Sequence, residues 1–434
     1  MFYSTSNFIK NKFNILLVFF ILMLNSCATY QGKVEKAKRF IVDKNWVQAL
    51  KELEPLALQS SDDQLVYLLD YATTLQMSGN FKESNKYFIQ ADKLSDIKDY
   101  TSLSRETGAI VLNEEMVQYK GDDFEVILIN AMTAVNFLAL NDLDSALVEV
   151  RRLNEKLNRF RIEANRKFTD NAFALYLSGI IWESNQKWDD AFISYEAAYK
   201  LSPYNRQLQE NLMRAAFKSK RTDQFQKLKK EITYFNDKEM QEIELANKNK
   251  GELIIIYESG WVPQKNFRRE SYRYPQMYPI SVVTQGLSYK ITKQGATSLG
   301  SNFYQNQNYE NSRAIFSVEQ MAVQSLEDQY ATLVARRFAG AVTKEIVSDQ
   351  IRQKNELLGF IANIALHASD RADLRQWSTL PGEFHIIRIP LDAGTYNLNL
   401  SGLDYVQQTT GEYFNSEVEI KSGKKSFQFF RALK

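Results

Sequence analysis

The hydrophobic residues of this chain follow two different periods, one in each half of the sequence. In the stretch NAFALYLSGIIWESNQKWDDAFISYEAAYKLSPYN, apolar or small residues recur every three to four positions on either side of a polar turn at residues 185–187. Residues spaced in this way lie on one face of a helix, so the stretch predicts two amphipathic helices joined by a short turn. Pro203 cannot continue a helix and ends the second one. The two helix faces consist of Leu175, Gly179 and Trp182, then Ala191, Tyr195 and Ala198.

This helix pair resembles a tetratricopeptide repeat, in which small residues let two antiparallel helices approach and aromatic residues fill the space beside them. Gly179 and Ala191 are the small residues here. Looser copies of the pattern precede the pair, and residues 204–236 look like a final pair that caps the stack. The copies are unevenly spaced, so helical insertions must interrupt a regular repeat of about 34 residues. Their small second-helix positions are Ala49, Ser84 and Ala146.

After a polar stretch at residues 238–250, the pattern becomes typical of β-strands. The run GELIIIYESG predicts a buried strand between two glycines, and GLSYKITKQG alternates apolar and polar residues as a half-buried strand does. Two apolar helical stripes follow, at residues 326–341 and 357–365. The segments FHIIRIPLDAGTYNLNL and SEVEIKSGKKSFQFFRAL then predict four strands joined by glycine-containing turns.

We therefore predict an all-α tetratricopeptide-like helical repeat domain followed by an α+β domain with β-sandwich-like strands and two helices. The predicted divisions are a signal segment at 1–26, the helical domain at 27–237, a linker at 238–250 and the β-rich domain at 251–434. The second domain is expected to form its core without the first. The alternative is one continuous core, in which the stripe around Ile361 packs on the last helices near Phe225 and Leu228.

The N-terminal residues predict secretion and lipid attachment. A lysine-flanked apolar run at residues 15–24 is typical of a secretory signal, and as a helix it would span only ~15 Å, about half of a membrane's hydrocarbon core. The residues Leu24-Asn25-Ser26-Cys27 resemble the lipobox of bacterial lipoproteins, in which the bond before the cysteine is cut and the thiol carries diacylglycerol. Ala28 follows instead of the aspartate that retains many lipoproteins in the inner membrane, which favours the outer membrane, facing the periplasm.

Composition and charge exclude several classes of function. The 54 basic and 52 acidic residues give a formal charge of +2, which offers no reason to expect a nucleic-acid partner. Cys27 is the only cysteine, so its acylation would leave no thiol for a disulfide, a nucleophile or a metal site. Two histidines are too few for most metal sites and for the commonest general base. We predict no cofactor, no metal and no catalysis; a glycan hydrolase with a carboxylate pair is the enzymatic alternative.

Most of the mature sequence resembles a family of uncharacterised bacterial envelope lipoproteins. The resemblance rests on YKGDDFEVILINAMTAVNFLALNDLDSALVEVRRLNEKL in the helical half and on GELIIIYESGWVPQK and RADLRQWSTLPGEFHIIRIPLDAGTYNLNL in the second half. The family motif Asp-x-Arg-x-Trp corresponds here to Asp373, Arg375 and Trp377, while Gly382 stands where alanine is expected. The resemblance implies an envelope location, no assigned activity and a link to cell-wall assembly.

Two sets of residues are candidates for contact with a ligand. Arg375 and Trp377 could bind a sugar or a carboxylate by stacking and bidentate contact, or could instead form an internal cation–π contact that fixes a loop. Arg268, Arg269 and Tyr272 belong to a basic, tyrosine-rich segment that could contact glycan.

The function predicted first is an interaction scaffold or adaptor, held at the membrane by a lipid on Cys27. Helical repeats expose concave grooves that suit a peptide or a helix of a partner protein, here an envelope protein of unknown identity. The alternative is a module that binds peptidoglycan or another glycan.

The lipid anchor is tested by Cys27→Ala. Because thioether formation needs the thiol at this position, the variant should lose all labelling by a radioactive or clickable fatty acid and accumulate as an uncleaved or misrouted precursor. Labelling of the variant, or a mature variant that still sediments with membranes, would contradict the lipoprotein assignment.

Overall fold

The computed structural model describes residues 30–100, 118–163, 171–233, 237–269, 271–280, 283–284, 286–294, 303–305, 314–327 and 372–434. Cys27, the predicted signal segment and almost all of the two predicted helical stripes lie outside these ranges. No helix in the described part of the chain is long and apolar enough to cross a bilayer.

The first half of the protein consists of helices that pack against one another in the order of the sequence. They are α1 (Tyr30–Val42), α2 (Trp46–Leu58), α3 (Gln64–Met77), α4 (Phe81–Tyr100), α5 (Asp123–Ala139), α6 (Leu143–Glu163), α7 (Ala172–Ser184), α8 (Trp188–Leu201), α9 (Arg206–Lys218), α10 (Thr222–Glu231) and α11 (Asp237–Asn247).

The turns that join these helices in pairs share one backbone geometry. One residue in each turn has a positive φ, and the next residue donates its N–H to the carbonyl five positions earlier, as Lys187 does to Trp182 at 3.0 Å. This arrangement satisfies carbonyls that a helix end would otherwise leave unpaired. Its recurrence between α1 and α2, α3 and α4, α5 and α6, α7 and α8, and α9 and α10 supports the predicted helical-repeat fold. The positive-φ residues are Lys44, Gly79, Asn141, Gln186 and Lys220.

Small residues let the paired helices approach, as the sequence predicts. A Cβ atom added to Gly179 on α7 would lie 2.3 Å from ring carbons of Tyr195 on α8. The small positions of the second helices are completely buried, and they are Ala49, Ser84, Ala146 and Ala191.

The second half contains two four-stranded sheets and one separate hairpin. In sheet 1 the strand order is β10-β1-β7-β6, with β10 parallel to β1 and the other pairs antiparallel; in sheet 2 the order is β5-β4-β8-β9; β2 and β3 form the hairpin. The strands are β1 (Gly251–Ser259), β2 (Gln264–Arg268), β3 (Ser271–Tyr278), β4 (Gly286–Lys293), β5 (Phe303–Gln305), β6 (Phe316–Ser317), β7 (Glu383–Leu391), β8 (Gly394–Leu403), β9 (Thr409–Ile420) and β10 (Lys425–Ala432).

The two sheets pack face to face and enclose one apolar core, which confirms the α+β class for the described residues. Leu253, Ile255 and Tyr257 of β1 enter this core together with alternate residues of β4, β7, β8 and β9. The intervening residues Ile254 and Ile256 point to the opposite face of sheet 1 and belong to the helical core. Burial on both faces explains why this strand is continuously apolar instead of alternating.

The two halves therefore share a core. Phe384 and Ile386 of β7 join Ile254 and Ile256 on the helix-facing side of sheet 1, and the ring of Phe384 stacks on Phe173 of α7 at 4.0 Å. The second half forms one core of its own between its two sheets, but the other apolar face of sheet 1 packs against the helices. That the second half can fold without the first stays a prediction. The stripe around Ile361, which the alternative placed against Phe225 and Leu228, lies outside the described residues.

The repeat packing is tested by Gly179→Ala. The added methyl group would collide with the Tyr195 ring, and overpacking of this kind costs about 1–3 kcal/mol of unfolding free energy. Urea unfolding measures the loss. Gly32→Ala, at an exposed position of α1, is the matched control and should be neutral or slightly stabilising, because alanine favours helix over glycine. Equal stabilities of the two variants would show that α7 and α8 do not meet at Gly179.

Candidate functional site

The inner surface of the helical array is filled by the protein's own chain. Helices α3, α5 and α7, each the first of its pair, are buried along nearly their whole length. The extended segment 372–377 and the turn that follows it lie against α3 and α5, and sheet 1 lies against α7. The concave groove that sequence analysis assigned to a partner is thus occupied in this structure.

Trp377 is the centre of this internal contact. Its side chain is fully buried, its indole N–H donates to the Thr73 hydroxyl at 2.8 Å, and its ring lies 5.7 Å from that of Phe88. Its backbone N–H donates to the carboxylate of Glu125 at 2.7 Å. Every polar group named here is satisfied within the chain, as burial requires. Trp377 therefore fixes the segment to the helices.

Arg375 holds the same segment by charge. Its guanidinium pairs with Asp373 at 2.7 Å and with Asp63 of the α2–α3 turn at 2.9 Å, and it lies 5.4 Å from the ring centre of Tyr119. The side chain is only 5% exposed. Of the two sequence-based interpretations, the internal one describes Arg375 and Trp377 better than ligand binding does, although the aromatic partner of the arginine is Tyr119 and not Trp377.

Two buried carboxyl groups accept hydrogen bonds from this segment. Asp70 of α3 accepts from the backbone N–H and the hydroxyl of Thr379 at 2.9 and 2.8 Å, and also from the Tyr30 hydroxyl. Burial raises the pKa of Asp70 to about 6. Burial, together with the nearby Asp122, raises the pKa of Glu125 to about 7. Because the oxygens of both groups are engaged by the protein's own donors, we regard them as structural.

A polar cleft opens where the helical half meets the end of sheet 1. Its volume is about 750 Å³, which is within the range of pockets that bind small molecules or short peptide segments. The α7–α8 turn, α9 and α11 supply one wall, and the ends of β1, β7 and β10 supply the other. The side chain of Gln207 on α9 ties the walls together, because it donates to the carbonyl of Arg388 at 2.9 Å and accepts from its N–H at 3.2 Å.

A buried cluster of ion pairs forms the floor of this cleft. The guanidinium of Arg388 lies 2.9 Å from Glu183 and 2.7 Å from Glu252, and Lys425 and Arg214 lie 2.7 and 3.2 Å from Glu183. Burial opposes ionisation of both carboxyls, but the surrounding cations prevail. They hold the pKa of Glu183 well below its ordinary value and lower that of Glu252 to about 2. Removing one partner from such a buried pair is costly, and the cluster links α7 and α9 of the helical half to β1, β7 and β10 of the second half.

The lining of the cleft is net positive. Seven basic side chains face four carboxylates, so the formal balance is three positive charges. Lys248 and Lys424 are exposed at the rim. The basic residues are Arg214, Lys218, Lys248, Lys250, Arg388, Lys424 and Lys425, and the acidic ones are Glu183, Glu210, Glu244 and Glu252.

The other predicted site residues lie elsewhere. Arg268 and Arg269 are exposed at the end of β2, and Tyr272 lies on β3. Cys27 lies outside the described residues. In the described part of the chain, no three His, Cys, Asp or Glu side chains are grouped to hold a metal ion.

Sequence analysis missed the cleft altogether. One available signal was Arg388, a charged residue inside the apolar strand FHIIRIPL, which must find a partner if the strand is buried. Its partners, Glu183 and Glu252, are 205 and 136 residues away in the sequence, so no local pattern connects them.

Comparison with known proteins gives no family. No protein-family model matches the chain, and no curated protein matches it. The chain is similar to solved helical-repeat structures, one of which is MamA from Desulfovibrio magneticus RS-1, with 15% identity over 49% of this chain and 94% of that one and a TM-score of 0.30. A second is a putative kinesin light chain with TPR-like repeats from Podosopora anserina, with 13% identity over 50% and 95% of the two chains and a TM-score of 0.31. Likenesses at this level carry no conclusion about function.

The contact between the segment 372–380 and helix α3 is tested by comparing how the unfolding free energies of the parent and of Asp70→Asn depend on pH. The folded pKa of Asp70, about 6, lies above the ordinary value, so the folded state binds this proton more tightly than the unfolded state does. Stability from this group is present below about pH 4 and is lost as the pH rises through about 6. Relative to the variant, the parent should lose up to ~3 kcal/mol of unfolding free energy between about pH 4 and 7, at about 1.4 kcal/mol per pKa unit.

Urea unfolding at a series of pH values measures this difference. Asp43→Asn, which removes one carboxylate at an exposed position, is the matched control for the change of charge. Parallel curves for the parent and Asp70→Asn would contradict the assignment of a raised pKa to Asp70.

Proposed function

We propose that this protein is a lipid-anchored adaptor of the bacterial cell envelope, which faces the periplasm and binds an acidic segment of a partner protein in the cleft between its two halves. The observation that carries the proposal is the charge of the cleft, with seven basic and four acidic side chains around about 750 Å³. Complementary charge gives a binding site its specificity and its rate of association. The predicted lipid on Cys27 supports a location at the membrane. The resemblance of the sequence to envelope lipoproteins supports a role in cell-wall assembly.

The cleft is a better partner site than the inner groove. A partner in the groove would have to displace Trp377, which is completely buried, and the ion pairs between Arg375 and its two aspartates. A partner in the cleft would meet exposed lysines, among them Lys248 and Lys424, without breaking the core.

Hydrolysis of a glycan is the weaker alternative for this cleft. A glycosidase needs one carboxylate that attacks or activates water and one carboxylic acid that donates a proton. Burial raises the pKa of Glu210, which suits an acid, but Glu183 and Glu252 both have their oxygens engaged by Arg388 and Lys425. These contacts favour binding over catalysis. Peptidoglycan binding remains the alternative function to be tested beside the adaptor role.

A photo-crosslinking experiment in whole cells tests the adaptor function. A photoreactive amino acid at Gln186, an exposed residue of the cleft lining, should give one discrete protein adduct. The same photoreactive amino acid placed at Gln226 on α10, which is exposed and outside the lining of the cleft, should give no protein adduct.

Charge reversal then tests the chemistry of the contact. Lys248→Glu with Lys424→Glu should reduce the adduct about tenfold or more, since like charges in contact cost over a kcal/mol each. Lys227→Glu with Lys230→Glu, which makes the same change of charge on α10, should leave it unchanged. The proposal fails if both positions give the same adducts, if the rim variant has no effect, or if Gln186 reacts with glycan only.

A further inference from the structure

The sequence of the β2–β3 hairpin is rich in arginine and tyrosine. Between residues 268 and 278 the chain reads RRESYRYPQMY, with three arginines and three tyrosines against a single glutamate. Arg268 and Arg269 are exposed where β2 ends, and the remaining members lie on or next to β3. The function proposed above makes no use of this hairpin.

The base of the hairpin is fixed beside the first described helix. The side chain of Gln31 on α1 donates to the carbonyl of Lys265, and the carbonyl oxygen of the Gln376 side chain accepts from the N–H of Lys265. The Lys265 ammonium is itself buried and donates to Asp122 at 3.3 Å and to the carbonyl of Arg375 at 3.1 Å. The hairpin thus starts from a rigid point at the N-terminal end of α1.

This position brings the arginines near the predicted lipid anchor. Cys27 precedes Gln31 by four residues, which span at most about 14 Å, and Arg269 follows Lys265 by four residues, about 13 Å along a strand. Since the side chain of Gln31 contacts the carbonyl of Lys265, the separation of Cys27 and Arg269 is at most about 40 Å. A lipid on Cys27 therefore holds this turn within reach of the same membrane surface.

We infer that the β2–β3 hairpin is a membrane-contact surface whose arginines bind the phosphate groups of anionic phospholipids. The inference rests on the proposed lipid anchor for its place in the cell. Guanidinium groups bind phosphate oxygens in bidentate pairs, and tyrosine is enriched at the level of lipid headgroups, where its ring and its hydroxyl meet different surroundings. A second contact beside the acyl chains would fix which side of the protein faces the bilayer, leaving the cleft to its partner.

Vesicle binding by the mature chain from Ala28 onward, which has no acyl anchor and retains every described element, tests the inference. Sedimentation with vesicles of phosphatidylcholine and phosphatidylglycerol should exceed that with phosphatidylcholine alone, and added salt should weaken it. Arg268→Gln with Arg269→Gln should lower the partition coefficient ~30-fold, at about fivefold for each basic residue. Lys227→Gln with Lys230→Gln removes the same charge from α10 and should leave it unchanged.

Three results would overturn the inference: equal binding to both kinds of vesicle, an equal loss from the α10 control, or retention on isolated peptidoglycan through the two arginines without vesicle binding. If the double variant melts earlier than the parent, Arg269→Gln alone must still show a loss of about fivefold. Because the protein used carries no lipid, the result does not depend on acylation of Cys27. Failure of the anchor and failure of the hairpin contact are therefore separate outcomes.

Discussion

The two apolar faces of β1 determine how the rest of this protein is arranged. A strand with Leu253, Ile255 and Tyr257 on one face and Ile254 and Ile256 on the other must be covered on both sides. Sheet 2 covers the first face, and the helical array covers the second. The helical array is consequently closed on this side by sheet 1, and sheet 1 is covered on both of its faces. The boundary at Gly251 separates two kinds of secondary structure, but the core on the helical side of sheet 1 extends across it.

The polar contacts at this junction serve a different purpose from the apolar ones. Burying the cluster of Arg388, Glu183 and Glu252 gains little net stability, because the cost of removing the charges from water offsets their attraction. Its contacts nevertheless join specific residues of the two halves, because Arg388 of β7 pairs with Glu183 of α7. The hydrogen bonds around Trp377 and Asp70 restrict the segment 372–380 in the same way. Apolar burial thus holds the halves together, and the buried polar groups pair particular residues of one half with particular residues of the other.

The sequence predicted the parts of this structure that depend on neighbouring residues. Helical periodicity around Gly179 and Ala191, and the change of period at Gly251, were sufficient for the helix pairs and for the strand β1. The interpretation failed where a residue is defined by distant partners. Arg375 and Trp377 have the composition of a ligand site, but Asp63, Thr73 and Glu125, over 250 residues upstream, make them internal. The cleft was missed for the same reason, since its charged residues come from both halves.

The position of β1 in the chain, far ahead of the strands that pair with it, affects how the protein folds. The strands that pair with β1 in sheet 1 come much later in the chain. Glu252 of β1, for example, contacts Arg388 of β7 and Lys425 of β10, which are 136 and 173 residues away. Contacts so distant in sequence form slowly, whereas helix pairs form from local contacts and fold fast. During synthesis the strand LIIIY would be an exposed, aggregation-prone edge until β7 and β10 appear. The helical array, completed earlier in the chain, provides the apolar surface against which Ile254 and Ile256 of this strand pack.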